Sequence, residues 1–266
     1  MAIITQTNGT LELLTAEGIG AKHCFTTRLG GVSTGMLSSM NISFHRGDRD
    51  DNVVKNYAIL AEALGCAPQN MVLSHQIHSD IVRTVTKADH LSFDHHLYPE
   101  CDALITKEAS TALVVFTADC TPILLWDEKT GAVGAVHAGW RGTAANIAGK
   151  TVAAMCRQFG CQAQNIHAAI GPNIGACCFQ TDSEVPQALL ASFGPEAAAF
   201  IRQEGEKFYP DLKKINALAL QQAGVHQIDI STDCTMCQPD RFWSHRVHGP
   251  ARGSQGAIIL CGEGSL

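Results

Sequence analysis

No stretch of the sequence approaches the roughly 18 consecutive apolar residues that a membrane-spanning helix needs. The opening MAIITQTNGTLELL also has no basic segment followed by an apolar one of the kind that directs export. A cytoplasmic protein with no membrane role is expected. Positive charge is short as well: 19 Lys and Arg against 25 Asp and Glu leave a formal charge of −6. There is no basic stripe to neutralise a phosphate backbone, so nucleic acid is not an expected partner. Internal repeats, low-complexity tracts and Pro/Gly/Ser linkers are missing too, and residues 1–266 read as a single domain. What remains is a globular composition, 45% hydrophobic and 17% charged, with enough apolar material for a real core.

Cysteine is the residue in surplus. Eleven is an odd number in a chain without an export signal and much longer than small disulfide scaffolds, so these are read as reduced thiols, most of them buried as small hydrophobes. Cys234-Thr-Met-Cys237 has zinc-ligand spacing, but no second CxxC pair accompanies it, and as a separate zinc knuckle it carries little weight.

Apolar residues recur at helical spacing over 52–65, 143–159, 184–193 and 211–223, each ending near a glycine or a loop. Short β-rich runs occupy 111–117, 122–126, 131–137, 165–170, 226–230 and 256–261, several of them apolar on both faces. Helices and buried strands mix without strict alternation. That pattern predicts an α+β architecture, mixed sheets sandwiched by helices, in preference to a doubly wound parallel sheet.

The most informative stretch is FTADCTPILLWDEKTGAVGAVHAGWRGT, two strand-like runs around a turn-like DEKTG. A hairpin with Glu128 and Lys129 at its tip pairs Cys120 with His137, and opposed residues hold their Cβ atoms about 4.5–5.5 Å apart. That spacing suits one metal ion, with Zn–S near ~2.3 Å and Zn–N near ~2.0 Å. A register slip of two keeps both on one face. A third ligand is available in LSHQIHSD as His75 or His78, and spacing does not choose between them. One Cys with two His leaves a fourth position open for water or substrate. The same residues admit other readings: a core thiol beside a structural histidine, a copper site of the same donor set, or a metal-free Cys120/His137 nucleophile and base pair.

Three segments concentrate glycine with polar groups: TTRLGGVSTG, HAGWRGT and IGPNIGACC. Arg28 in the first, and Arg141 just before the helix predicted from 143, are candidates for an anion. NISFHRGDRD adds Asn41, His45, Arg46 and Asp48 as a polar site loop or a solvated turn. FWSHRVHGP gathers Trp243, Ser244, His245 and Arg246, either to hold a planar base or to cap a strand edge. From the residues alone, this is a metal-assisted enzyme for a small polar or phosphate-bearing substrate.

Taken in order, TTRLGGVS, SMNISFHRGD, HQIH, ECDALIT, TADCTPILL, AVHAGWRGT, IGPNIGACCF and CT…FWSHR resemble the laccase-domain (polyphenol oxidase) family of the YfiH type, multifunctional purine nucleoside enzymes, over nearly the whole chain. The resemblance implies a four-layer α/β/β/α sandwich with mixed sheets. It also implies zinc held by His78, Cys120 and His137. The implied reactions are phosphorolysis of adenosine, inosine and methylthioadenosine, and hydrolytic deamination of adenosine, with purine nucleosides and inorganic phosphate as partners. On that basis Cys120, His137, Asp119 and Asp102 are candidate catalytic residues, and Arg28, Asn41, Arg46, Arg141 and Arg246 candidate substrate-binding ones. A regular strand would point Asp119 away from Cys120.

The chain departs from the family pattern in three places. Phe179-Gln180-Thr181 stands where an aromatic, Glu and Val are common; SHRVHGP replaces S-[YF]-R-R; and Ser254 stands where an Arg is expected, with Arg252 two residues earlier. A copper-dependent phenol oxidase is the alternative activity, yet the His-X-His ligand pairs of multicopper oxidases are absent. Metal-independent Cys/His hydrolysis and a binding-only role complete the alternatives. No protein partner is identified.

Overall fold

The computed structural model describes residues 2–90 and 98–262. In chain order its main elements are β1 (Ile3–Asn8), β2 (Leu11–Ala16), β3 (His23–Thr26), α1 (Asp50–Leu64), β4 (Met71–Val72), β5 (Val82–Thr84), β6 (Ala103–Thr106), β7 (Ala112–Thr117), β8 (Thr121–Asp127), β9 (Val133–Ala138), α2 (Trp140–Ala144), α3 (Ile147–Phe159), β10 (Ile166–Ile170), α4 (Glu184–Phe193), β11 (Ile201–Glu204), β12 (Lys207–Pro210), α5 (Leu212–Gln222), β13 (Gln227–Ile230), α6 (His245–His248) and β14 (Gln255–Leu260). Two six-stranded sheets have the orders β1-β2-β3-β14-β7-β4 and β13-β10-β8-β9-β6-β5; β11 and β12 form a separate ribbon. Both large sheets are mixed, with β4 parallel to β7, β5 parallel to β6 and β13 parallel to β10 among antiparallel pairs.

The layering follows from strand periodicity. Successive side chains point to opposite faces of a sheet, and here both faces are covered. In β7, Leu113 and Val115 meet Leu124 of β8 and Val133 and Ala135 of β9 between the sheets. The alternate residues Ala112 and Val114 pack with Val53, Tyr57 and Leu60 of α1. On the far side of the second sheet, Ile123, Leu125 and Val136 pack against Val152 and Met155 of α3 and Ile215 and Leu220 of α5. This double burial is why the strands read as continuous apolar runs rather than alternating ones. The result is helix, sheet, sheet, helix: the expected α/β/β/α sandwich.

The expected element boundaries hold within a few residues except at the helix predicted from 143. That segment is two helices, beginning at Trp140 and broken at Asn146, whose φ of 57° is left-handed and whose side chain accepts from Gly149 N to cap α3. Arg141 therefore sits inside the first turn of α2 rather than ahead of it.

The hairpin register also differs from expectation. Pro122, not Cys120, pairs with His137, and Thr121 pairs with Ala138. The cause is the turn: Asp127 Oδ1 accepts from Lys129 N at 2.9 Å and Thr130 N at 2.7 Å, and Gly131 takes φ 72°, so four residues separate Asp127 from Ala132 instead of two between Asp127 and Thr130. The slip is by two, so Cys120 stays on the His137 side of the sheet.

Candidate functional site

His137 shares a face of β9 with Val133 and Ala135, the face turned toward the other sheet. Cys120 lies just before β8, so both arrive at the rim where the inter-sheet core ends. His78 comes from the loop between β4 and β5, in a left-handed conformation (φ 61°). The donor atoms of His78, Cys120 and His137 all lie within 4.8 Å of one another, with Cys120 Sγ 3.7 Å from His78 Nε2. Between His75 and His78, the structure brings the second to the cysteine; His75 is exposed beside Glu100.

One buried carboxylate builds this arrangement. Asp102 Oδ1 takes a hydrogen bond from His137 Nδ1 at 2.8 Å and from His78 N at 3.0 Å, while Oδ2 accepts from Ile77 N, Ser79 N and Ser79 Oγ. Engaging Nδ1 leaves Nε2 of His137 directed at the cysteine, as is usual for a histidine ligand backed by an acid. Gln76 anchors the same loop from the other side, donating to Phe116 O at 2.8 Å and accepting from Phe116 N at 2.6 Å. Gly139 faces the group: a Cβ there would lie 2.7 Å from His78 Cδ2 and 3.2 Å from Cys120 Sγ.

Burial pushes the Asp102 carboxyl up, but hydrogen bonds from His137 and Ser79 outweigh it and bring its pKa down to about 2. Burial likewise opposes ionisation of Cys120 and His137. Their mutual attraction prevails, taking the thiol down to about 6 and, with help from Asp102, the imidazole up to about 9. Without an ion the pair is thus thiolate and imidazolium at neutral pH. Two nitrogens and one sulfur, backed by a carboxylate and open on one side, fit a borderline-soft ion such as zinc or copper.

The open side leads into a cavity of about 470 Å³ walled by Phe44, Tyr98 and Phe116, with Arg46 and Arg252 at its edge. A smaller cavity of about 230 Å³ adjoins it, lined by Trp140, Ile174, Phe179 and Arg246. His78, Cys120 and Arg252 border both. Burial first, and then the positive charge of Arg46, lower the pKa of Arg252, and both residues line the first cavity. Two cations on one cavity favour an anion there.

Other sequence candidates sit elsewhere. Arg28 donates to Ser38 O and Pro239 O and stacks 3.9 Å over Trp243; Arg141 lies 4.2 Å over Trp140; neither lines either cavity. Asn41 is buried and braces the loop carrying Arg46, bonding Asp48 Oδ2, Ser43 and Ser254 N. Trp243 is fully buried and donates to Met40 O at 2.9 Å, so it anchors the core instead of holding a base.

Asp119 is not in a regular strand: with φ 84° it turns to accept from Thr235 Oγ1, Ser244 Oγ and Arg246 N, fastening the C-terminal segment that carries Arg246. Arg246 lines the smaller cavity and donates to Gln180 O. Sequence reasoning missed Arg252, Gln76, Phe116 and Tyr98 as site residues. The signal for Arg252 was present in its offset by two from the expected arginine position; the aromatics had none, because they are brought together only by tertiary packing.

A family model described as multi-copper polyphenol oxidoreductase laccase matches residues 22–262. The chain is 37% identical over 246 residues to purine nucleoside phosphorylase YlmD of Geobacillus stearothermophilus, covering 90% of this chain and 89% of that one. It is 34% identical over 227 residues to purine nucleoside phosphorylase YfiH of Escherichia coli K12, covering 85% and 88%. The crystal structure of the Geobacillus YlmD superposes with a TM-score of 0.91 at 35% identity, over 98% of this chain and all of that one. In motif order, in layer order and in these likenesses, the chain belongs to the multi-copper polyphenol oxidoreductase laccase family.

Proposed function

We propose that this chain is a purine nucleoside phosphorylase acting on adenosine, inosine and methylthioadenosine, with a hydrolytic adenosine deaminase activity at the same zinc site. Residues 1–266 would then work as one catalytic domain in the cytoplasm. The observation that carries the reading is the junction at Cys120: a Cys/His₂ donor set meets a cavity lined by aromatic side chains and by Arg46 and Arg252. Relatives named purine nucleoside phosphorylase support it.

In phosphorolysis, an oxygen of phosphate attacks ribose C1′ while the bond to the base breaks. Arg46 and Arg252 hold the phosphate and offset its charge. Phe44, Tyr98 and Phe116 offer apolar faces for a purine. Asp102 keeps His137 and the His78 loop in place without touching substrate. Zinc bound by His78, Cys120 and His137 would act as a Lewis acid that makes water a competent nucleophile near pH 7. In deamination, water adds at C6 of adenine and ammonia leaves.

One observation favours a second reading. Cys120, His137 and Asp102 are ordered as nucleophile, base and orienting acid, and the thiol is already ionised near neutrality; that is the arrangement of a metal-free cysteine hydrolase. Incubating metal-analysed protein with adenosine, with and without phosphate and chelator, separates the two. Phosphate-dependent adenine release, or inosine formation without phosphate, both lost on chelation, supports the nucleoside reading with zinc. Turnover that survives complete metal removal supports the hydrolase; a metal content that is copper, with oxidation of phenols, supports the oxidase.

A further inference from the structure

A second group of donors, sharing no residue with the His78, Cys120 and His137 trio, converges nearby, where Thr235 beside Cys234 donates to Asp119 beside Cys120. Cys177 and Cys178 lie in the loop after β10, Cys234 and Cys237 in the segment after β13. Far apart in sequence, these two segments run side by side: Asn173 and Cys234 form a parallel bridge, and Thr235 N donates to Asn173 O at 2.9 Å. All four sulfurs lie within 4.8 Å of one another. Cys237 Sγ is 3.3 Å from Cys178 Sγ and 3.6 Å from Cys177 Sγ. Four sulfurs placed tetrahedrally around one zinc at about 2.3 Å have edges of about 3.8 Å. A disulfide needs about 2.05 Å, and all four thiols are free.

We propose that Cys177, Cys178, Cys234 and Cys237 form a second metal site, a closed tetrathiolate that takes one zinc ion. The surrounding backbone is shaped for it. Gly175 N donates to Cys234 Sγ at 3.2 Å, the amide-to-sulfur bond that steadies a thiolate. A Cβ at Gly175 would sit 3.2 Å from Cys177 Sγ and 3.3 Å from Cys234 Cβ, so glycine keeps room for the sulfurs. Zinc with four thiolates carries a net charge of about −2. The buried ammonium of Lys213, tied to Ser231 O and Asp233 O just ahead of Cys234, offsets part of it. On binding, each thiol gives up its proton to solvent and no electrons move.

Four protein ligands leave no open position, so the role is structural. The ion staples the loop bearing Ile174 and Phe179 to the segment bearing Ser244 and Arg246. Those residues line the smaller cavity or fasten Asp119. The two donor groups share no ligand.

The test uses the full chain carrying Cys120→Ala, which removes the trio's thiolate, equilibrated under reducing conditions with zinc salt and then freed of loose ions. Elemental analysis should find about one zinc per chain, and X-ray absorption should show a shell of four sulfurs near ~2.3 Å. Adding Cys234→Ser and Cys237→Ser should abolish that sulfur shell. Because those substitutions can also unfold the region, the absorption spectrum of the Cys120→Ala chain is the decisive readout. Three results would each overturn the proposal: no tightly held metal in that chain, a shell of nitrogen and oxygen, or disulfides among these four cysteines found by mass spectrometry of protein kept reduced throughout.

Discussion

Asp102 has five hydrogen-bond donors converging on it and no exposure, which makes it the residue on which the trio depends. Asp102→Asn keeps the shape but turns an acceptor oxygen into a donating amide, facing either His137 or the amides of the 77–79 loop. One or more buried N–H groups then lose their partner, at about 1–3 kcal/mol. Loss of an acid behind a ligating histidine weakens metal binding about 10–100-fold. Thermal unfolding and competition with a chelating indicator check the two effects; unchanged metal affinity would remove Asp102 from its orienting role. Cys120 gives a pH prediction in metal-free protein. Below its pKa of about 6 the thiol is protonated and inert, and above it the thiolate reacts. The alkylation rate of Cys120, followed by peptide mass spectrometry, should reach half its plateau near pH 6, with zinc suppressing it.

At the scale of elements, the site is made where β8, β9 and α2 meet, and Gly139 is the point of closest approach. Its φ of −67° is open to any residue, so space alone demands glycine. Gly139→Ala should push the His78 ring aside and lower zinc affinity at the trio at least about tenfold while leaving the circular dichroism spectrum unchanged, as expected when ligand geometry is lost without the fold. Asn146→Ala makes the opposite prediction. It removes the α3 cap at a left-handed position, costing about 1–2 kcal/mol of stability, with metal binding intact. Both follow from local packing: a Cβ clash acts at the ligands, a lost cap acts on the helix.

Across the whole molecule, the cavity proposed to take phosphate unites distant parts of the chain. Arg46 arrives just ahead of α1 and Arg252 just ahead of β14, held together through Asn41 and Ser254. Losing one charge-assisted contact worth about 1.5–3 kcal/mol predicts that Arg252→Ala raises the KM for phosphate about 10–100-fold. Deamination, which uses no phosphate, should fall much less. Equal losses in both reactions would count against a phosphate role. Arg28→Ala, whose guanidinium supports two carbonyls and Trp243, should instead lower the melting temperature and leave the phosphate KM unchanged.

Much of this was legible in one dimension because the relevant physics is local. Apolar runs without alternation announced strands buried on both faces, helical spacing located α1, α4 and α5, and period two kept Cys120 and His137 on one side even though the turn shifted their register. Strands β1 to β6 were not anticipated: β1 is polar and exposed at a sheet edge, and β4 and β5 are too short to show a period. The ligand types and their motifs were set by the sequence alone. What only tertiary structure decided is which side chains share a space. The family motifs had already implied His78, and its backbone contact with buried Asp102 shows how the fold places it; carbonyl contacts hold Arg28 while Arg252 lines the cavity, and two loops bring Cys177 and Cys178 to Cys234 and Cys237. These outcomes depend on contacts between residues far apart in the chain, which no local periodicity records.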